Sequence, residues 1–298
     1  MLIGHNGQVG WQLQRTLACL GTVIVVDRSS TQVTIDLRHG DSIRNAVNTI
    51  KPDLIVNAAA YTAVDKAETD HQTAEAVNAI APGILAQSAA ECGASLIHYS
   101  TDYVFPGDVS KPYHEDDRKG PINVYGETKL RGEQAIQAVD VHYLILRTSW
   151  VYDRRGNNFL LTMLRLMKER ESVSVVDDQL GSPTPARQIA EATALMIARS
   201  ASKQTFINPG VYHLTSAGDT TWHGFALQIR ELAIRRGLLP PDCGSIEATD
   251  SNAFRTDAAR PGYSVLNNDK LRQYYGLQLP DWRHGLGLCL SSMATMNP

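Results

Sequence analysis

Met1-Leu-Ile3 runs directly into Gly4-His-Asn-Gly7-Gln-Val-Gly10, a short apolar segment followed by glycines spaced GxxGxxG. Glycines suit such a place because the chain has to turn tightly, let a pyrophosphate approach its backbone, and let the next helix pack against its strand. The helix N-terminus then offers free N–H groups to phosphate oxygens. Spacing alone fits a plain strand–helix turn equally well. Asp27 tips the balance: it ends the next apolar run, Thr22-Val-Ile-Val-Val-Asp27, about 20 residues after Gly7, where a carboxylate accepts hydrogen bonds from an adenosine ribose. Together these features predict a dinucleotide site. Arg28 leaves NADH and NADPH both open, because a guanidinium pairs with a 2′-phosphate that Asp27 repels, and a solvated surface charge is an equal reading.

The pattern repeats outward from this loop. Asp53–Asn57, Ser95–Ser100 and Tyr143–Arg147 are further near-continuous apolar runs, as expected of strands covered on both faces. Amphipathic segments Val9–Leu20, Asp41–Ile50, Thr73–Glu91 and Val124–Ala138 fit helices between them, with Asp41 placed as a cap and Gly21 as a stop. Strand–helix alternation of this kind predicts a Rossmann-type α/β fold, a doubly wound parallel sheet. After Trp150 the order loosens: a helix over Asn157–Arg170, a strand Val173–Val176, loops around 177–185 and 237–245, and helices near 186–200, 222–236 and 281–295. We therefore expect a dinucleotide-binding domain over 1–150, also receiving part of 180–215, and a smaller α/β substrate-binding domain, interleaved with it, over 151–298.

Composition narrows the function classes. The 298 residues carry a formal net charge of −3 and a pI near 6.3, far from the basic values typical of phosphate-backbone binding, so no nucleic-acid partner is expected. Apolar stretches fall well short of the ~20 residues that span a bilayer, and no membrane partner is expected. Cys19, Cys92, Cys243 and Cys289 lie far apart with no zinc-like spacing, which reads as buried reduced thiols. With no secretory pattern at the start, cytoplasmic residence is expected.

Three groups point to proton chemistry beside the cofactor. Tyr125-Gly-Glu-Thr-Lys129 sets a phenol and an ammonium four residues apart, hence on one helix face, where the cation lowers the phenol's pKa. A bare YxxxK is common, and a half-exposed Tyr beside a solvated Lys is the plainer reading. Ser100-Thr101-Asp102 directly follows a predicted strand, so its hydroxyls emerge at the carboxyl edge of the sheet; the alternative is a Ser/Thr turn. Trp150 sits at a comparable edge, suited either to pack over a sugar or to fill a core.

The glycine loop, Asn57-Ala-Ala-Ala-Tyr-Thr-Ala-Val-Asp-Lys-Ala-Glu68, Ser100-Thr-Asp-Tyr-Val-Phe105, Asn123–Leu130, Arg147–Tyr152, Gly156–Phe159, Asp178–Thr184, Thr221-Trp222, Ala259-Arg-Pro261 and Leu279–Trp282 together resemble the dTDP-4-dehydrorhamnose reductase family of the extended short-chain dehydrogenase/reductase superfamily. The resemblance covers nearly the whole chain. It implies hydride transfer from NADPH or NADH to the C4 ketone of a dTDP-sugar, dTDP-4-dehydro-6-deoxy-L-mannose, giving dTDP-L-rhamnose. By residue, it implies Tyr125 as proton donor, Lys129 tuning it and holding the nicotinamide ribose, and Thr101 orienting the carbonyl. Gly4, Gly7, Gln8, Val9 and Gly10 would meet the pyrophosphate, Asp27, Asp36 and Leu37 the adenosine end, and Ala60, Tyr61 and Thr62 the cofactor after the third strand. Asp102 and Trp150 would contact the sugar, and Arg260 the diphosphate. Nucleotide-sugar epimerases and dehydratases share the fold and the Tyr/Lys pair, and a relative serves as a non-catalytic regulatory subunit; the full Thr101/Tyr125/Lys129 set argues against the latter.

Two departures stand out. Some members of the family are dimers with magnesium held between subunits by glutamates, whereas two matching positions here are Gln12 and Arg187. A hard cation prefers carboxylate oxygen, so magnesium is doubtful, no metal ligand is assigned, and a monomer or weak dimer is expected. Only three residues precede Gly4, fewer than the 5–6 of a usual strand, so a curtailed first strand is expected.

Overall fold

Residues 1–200, 208–254 and 256–294 are described by a computed structural model. The apolar runs become β1 (Leu2–Ile3), β2 (Val25–Val26), β3 (Leu54–Asn57), β4 (Ser95–Thr101) and β5 (Tyr143–Thr148), with α1 (Gln8–Leu17) and α2 (Gly40–Ile50) as the first connections. A sixth strand, Gly210–His213, comes from the later half. All pair in parallel in the order Gly210–His213, β5, β4, β3, β1, β2. Because side chains alternate between faces, Leu2, Val56, Ile97, Leu144 and Leu146 enter one apolar layer, while Ile3, Val26, Ile55, Leu96 and Ile145 enter the other. That two-sided burial is why the runs read as continuously apolar. The connections diverge between β1 and β3, and a cleft therefore opens at the carboxyl ends of these strands.

Several boundaries differ from the sequence reading. The second strand shrinks to Val25–Val26 because its partner β1 has only two residues with which to pair, Leu2 against Val25 and Ile3 against Val26. Helix α1 stops at Leu17, its last buried residue; Ala18 to Gly21 are exposed, so Gly21 is not the stop. Asp41 lies within the first turn of α2 and pairs with Arg44, while His39 holds the cap position. The segment expected as one helix over Thr73–Glu91 is three: His71–Glu75 capped by Asp70, a π-turn Ala76–Ile80, and Ala81–Cys92 ended by Gly93 at φ +74°. All four cysteines are free, but only Cys243 is buried and Cys19 is exposed.

In the later half, Asn158 caps a helix over Phe159–Glu169, Ser172–Val176 is a strand, and further helices span Ala186–Ser200, Trp222–Arg235 and Trp282–Ala294. The strand Ser245–Thr249, which begins inside an expected loop, pairs in parallel with Ser172–Val176. Residue 295 of the last expected helix and 201–207 of the 180–215 segment lie outside the described residues. Tyr152, Met163, Phe225, Ile229, Trp282 and Leu286 belong to a core of their own. Helix Ala186–Ser200, in contrast, packs on α1 and joins Ile189 and Met196 to the layer beneath the main sheet. No helix of the described residues is long and apolar enough to cross a membrane.

Candidate active site

The glycine loop is shaped by close contacts. Gly4 has φ +81°, and a Cβ there would lie 2.5 Å from the Ala59 nitrogen; at Gly10 it would lie 2.1 Å from the Gly4 oxygen. These two glycines bring α1, β1 and the β3 loop together. Among the described residues a Cβ at Gly7 would meet the Gly4 oxygen, at 3.3 Å, and Gly7 stands at the N-cap of α1, where it has no side chain to cap the helix end. Its exposed backbone is the part of the loop that an anion can approach. The Gln8 and Val9 side chains face protein instead: Gln8 accepts from Asn158 Nδ2 at 2.8 Å, and Val9 packs on the apolar layer.

Beside the loop is a cleft of about 530 Å³, lined by Gly4, Asp27, Arg28, Asp36, Leu37, Arg38, Ala60 and Tyr61 among others. Thr62 is exposed and outside this lining. Asp27 stands directly after the shortened β2, and receives Asn6 Nδ2 at 2.9 Å and the Ser29 N–H at 2.7 Å. The Ser29 hydroxyl bond is the main reason its carboxyl lies below the usual range. Asp36 is held by a two-pronged bond from Arg38, which lowers its pKa to about 2. The cleft thus presents a carboxylate suited to a ribose diol and guanidinium groups suited to a phosphate.

The helix Val124–Gln137, capped by Asn123, carries Tyr125 and Lys129 beneath the ends of β4 and β5. Two glycines let it approach: a Cβ at Gly126 would lie 2.2 Å from the Tyr103 oxygen, and one at Gly132 2.1 Å from the Asn78 oxygen. Burial pushes the Tyr125 phenol up to about 12, and the Thr101 hydroxyl works against that rise. This differs from the sequence reading, in which Lys129 makes the phenol more acidic. Lys129 Nζ instead donates to the Tyr99 carbonyl at 2.6 Å and stands 3.1 Å from His98 Nε2. Burial holds its pKa down to about 8.

Thr101 ends β4 and donates to Asp102 Oδ1 at 3.0 Å. Asp102 is buried, its Oδ2 has no hydrogen-bond partner among the described residues, and burial pushes it up to about 6 while the Ser264 and Thr101 hydroxyls act the other way. Tyr103 packs edge-on to Tyr125 at 5.8 Å between centroids, and Arg260 lies close enough to act on its phenol. Arg260 forms a two-pronged ion pair with Asp65, at 3.0 and 2.7 Å. Trp150 adopts φ +47° and stacks on Trp222 at 3.5 Å, with Gly181 so close that a Cβ would lie 2.3 Å from the indole. It is neither fully buried nor free.

The structure therefore gathers Thr101, Asp102, Tyr125 and Arg260 around Tyr103, with Lys129 one helical turn along. Gly4, Asp27, Asp36, Leu37, Ala60 and Tyr61 gather at the neighbouring cleft. Sequence reading missed Tyr103, His98 and Asn78. Asn78 lies in the π-turn, accepts from the Tyr61 N–H at 2.9 Å and donates to the Tyr61 carbonyl at 3.0 Å, tying the cleft wall to the Tyr125 helix. The glycines in that helix were the available signal, since glycine costs a helix interior about 1 kcal/mol and so marks a close approach. At the two positions noted for magnesium, Gln12 donates to Asp153 and Arg187 pairs with Glu191. A hard divalent ion prefers carboxylate to amide oxygen, and the Arg187 cation repels it. Among the described residues no three His, Cys, Asp or Glu side chains group to hold a metal.

The RmlD substrate binding domain family matches residues 1–295. The dTDP-4-dehydrorhamnose reductase of Escherichia coli (strain K12) is 46% identical over 295 residues, covering 99% of this chain and 98% of that one. The crystal structure of dTDP-4-dehydrorhamnose reductase from Bacillus anthracis str. Ames, in complex with NADP, superposes with a TM-score of 0.86 at 35% identity, covering 98% of each chain. A UDP-glucose 4-epimerase from Thermus thermophilus, in complex with NAD, shares the fold at a TM-score of 0.79 and 18% identity over 97% of each chain. The chain belongs to the RmlD substrate binding domain family and, within it, to the dTDP-4-dehydrorhamnose reductases.

Proposed function

We propose that the protein reduces the C4 ketone of dTDP-4-dehydro-6-deoxy-L-mannose to the alcohol, giving dTDP-L-rhamnose, with NADPH or NADH as reductant. The observation that carries this reading is the end-to-end relationship to dTDP-4-dehydrorhamnose reductases, together with an intact Thr101/Tyr125/Lys129 set at the carboxyl edge of β4. The cofactor supplies the hydride, and the chain supplies orientation and a proton. Gly7 and the start of α1 hold the pyrophosphate, Asp27 and Asp36 the adenosine end, and Ala60 and Tyr61 the cleft wall. Tyr125 Oη gives its proton to O4 as the hydride reaches C4. Burial suits that task, because a phenol pushed up to about 12 stays protonated and ready to donate.

Thr101 orients the ketone oxygen and Asp102 receives a sugar hydroxyl on its Oδ2, which has no hydrogen-bond partner among the described residues. Trp150 offers an indole face to the sugar. Arg260 meets the diphosphate while Asp65 holds its guanidinium in place. The core around Phe225 and Trp282 forms the substrate-binding part over 151–298, and the returning segment within 180–215 belongs with the dinucleotide-binding part. Cytoplasmic residence fits a reductase that draws on free nicotinamide cofactor.

Offering dTDP- and UDP-linked 4-keto-6-deoxy sugars with each coenzyme tests the reading. One reduced cofactor is expected to be consumed per dTDP-sugar; cofactor retained without net oxidation would indicate epimerase or dehydratase chemistry instead. Tyr125→Phe is expected to leave NADPH affinity within about threefold and to lower kcat by at least about 100-fold, the scale of general acid catalysis. An unchanged kcat would remove Tyr125 from the chemistry.

A further inference from the structure

Lys129 is 1% exposed, and its ammonium position touches a row of polar groups that extends away from Tyr125. Nζ stands 3.1 Å from His98 Nε2, His98 Nδ1 stands 3.1 Å from Asn57 Nδ2, and Asn57 Oδ1 accepts the Ala59 N–H at 3.2 Å. His98 and Asn57 are each 1% exposed. Water does not mediate at such distances, so each contact needs one donor and one acceptor.

Only one placement of protons satisfies the row. The Ala59 N–H can only donate, so Asn57 turns its oxygen there and its NH2 toward His98. His98 Nδ1 is then the acceptor, and the neutral ring carries its proton on Nε2. That N–H points at Lys129, which must answer with a lone pair while one of its own hydrogens goes to the Tyr99 carbonyl. An ammonium would set donor against donor. Flipping Asn57 moves the conflict to Ala59, and charging His98 moves it to Asn57.

We propose that Asn57 and His98 are positioning residues that bias Lys129 toward the neutral amine in the free enzyme, so that loading the dinucleotide draws a proton from solvent onto the neutral fraction. This rests on Lys129 facing the nicotinamide ribose, whose hydroxyl oxygens accept from an ammonium and replace the contact that His98 refuses. Burial acts in the same direction on both Lys129 and His98. The titratable groups acting on Lys129 are His98 of β4 and Glu133 of its own helix. Glu133 favours the cation but is already occupied by Arg147 of β5, at 2.7 Å, and by Ser100. Because Asn57 ends β3 and steadies the Ala59 loop of the cofactor cleft, the row links cofactor contact to the charge of Lys129.

Calorimetric titration of the full chain with NADPH at pH 8, in two buffers of different ionisation enthalpy, reads protons taken up per cofactor bound. The wild type is expected to take up about half a proton, since Lys129 titrates near that pH. Asn57→Asp is expected to take up almost none: its carboxylate accepts the Nδ1 proton, turns the Nε2 lone pair to Lys129 and stabilises the ammonium beforehand. His98→Gln, whose amide oxygen also faces an ammonium, makes the same test should Asn57→Asp not fold. Wild-type binding without proton uptake, or uptake unchanged in the variants, overturns the proposal. Failure of the wild type to bind NADPH overturns the cofactor site beneath it instead.

Discussion

Asp102 is the residue at which fold and function pull hardest in opposite directions. Burial raises it to about 6, with Ser264 and Thr101 acting the other way, and its Oδ2 has no hydrogen-bond partner among the described residues. An exposed aspartate titrates near ~3.9, so the folded protein binds more protons than the unfolded one between these values. The destabilisation therefore grows as pH rises through that window and is fully present above about 6. Asp102→Asn is expected to be more stable than the wild type at pH 8, by on the order of 2 kcal/mol in urea unfolding, with the gain shrinking toward zero near pH 4. A gain of equal size at both pH values would mean that the carboxylate is not the cause. Sequence made Asp102 legible as a polar group after a strand, but its isolation depends on the burial that the surrounding chain creates.

At the scale of elements, helix Val124–Gln137 shows how a site can depend on what a helix lacks. Gly132 faces the Asn78 carbonyl of the π-turn, where a Cβ would come to 2.1 Å. By propensity, Gly132→Ala should stabilise the helix by about 1 kcal/mol. Overpacking costs about 1–3 kcal/mol, and a clash with backbone leaves little room to relax. The variant is accordingly expected to melt at a lower temperature and to lose kcat, because the displaced helix carries Tyr125 and Lys129; a higher melting temperature would show that the π-turn yields. The helix itself was legible from its periodicity, while its Asn123 cap came from the structure. The π-turn was not, because Ala76-Val-Asn-Ala-Ile80 has the same apolar pattern in an α- or π-turn, and packing against Gly132 distinguishes them.

Across the whole molecule, α1 ties the cofactor loop to the later half: Gln8 receives Asn158, and Gln12 reaches Asp153. The same amide of Gln12, with Arg187 bonded to Glu191, occupies the positions where the family resemblance implied magnesium ligands. Removal of divalent cations should therefore leave the association state unchanged, and sedimentation equilibrium with and without a chelator is expected to give one mass. A dimer that dissociates on chelation would contradict this.

By itself the sequence determined the parallel α/β sheet, the glycine cradle, Asp27 at the end of β2 and the Tyr125/Lys129 spacing. Those features follow from short-range rules: alternation of side chains, helical periodicity and the steric freedom of glycine. Tertiary structure decided that Lys129 faces His98 rather than Tyr125, that Asp65 grips Arg260, that Trp150 lies between Gly181 and Trp222, and that a strand from the later half completes the first sheet. Partners separated by tens to nearly two hundred residues make those choices. A buried donor or charge must find whichever partner the packed chain brings within reach, and no local pattern encodes which one that is.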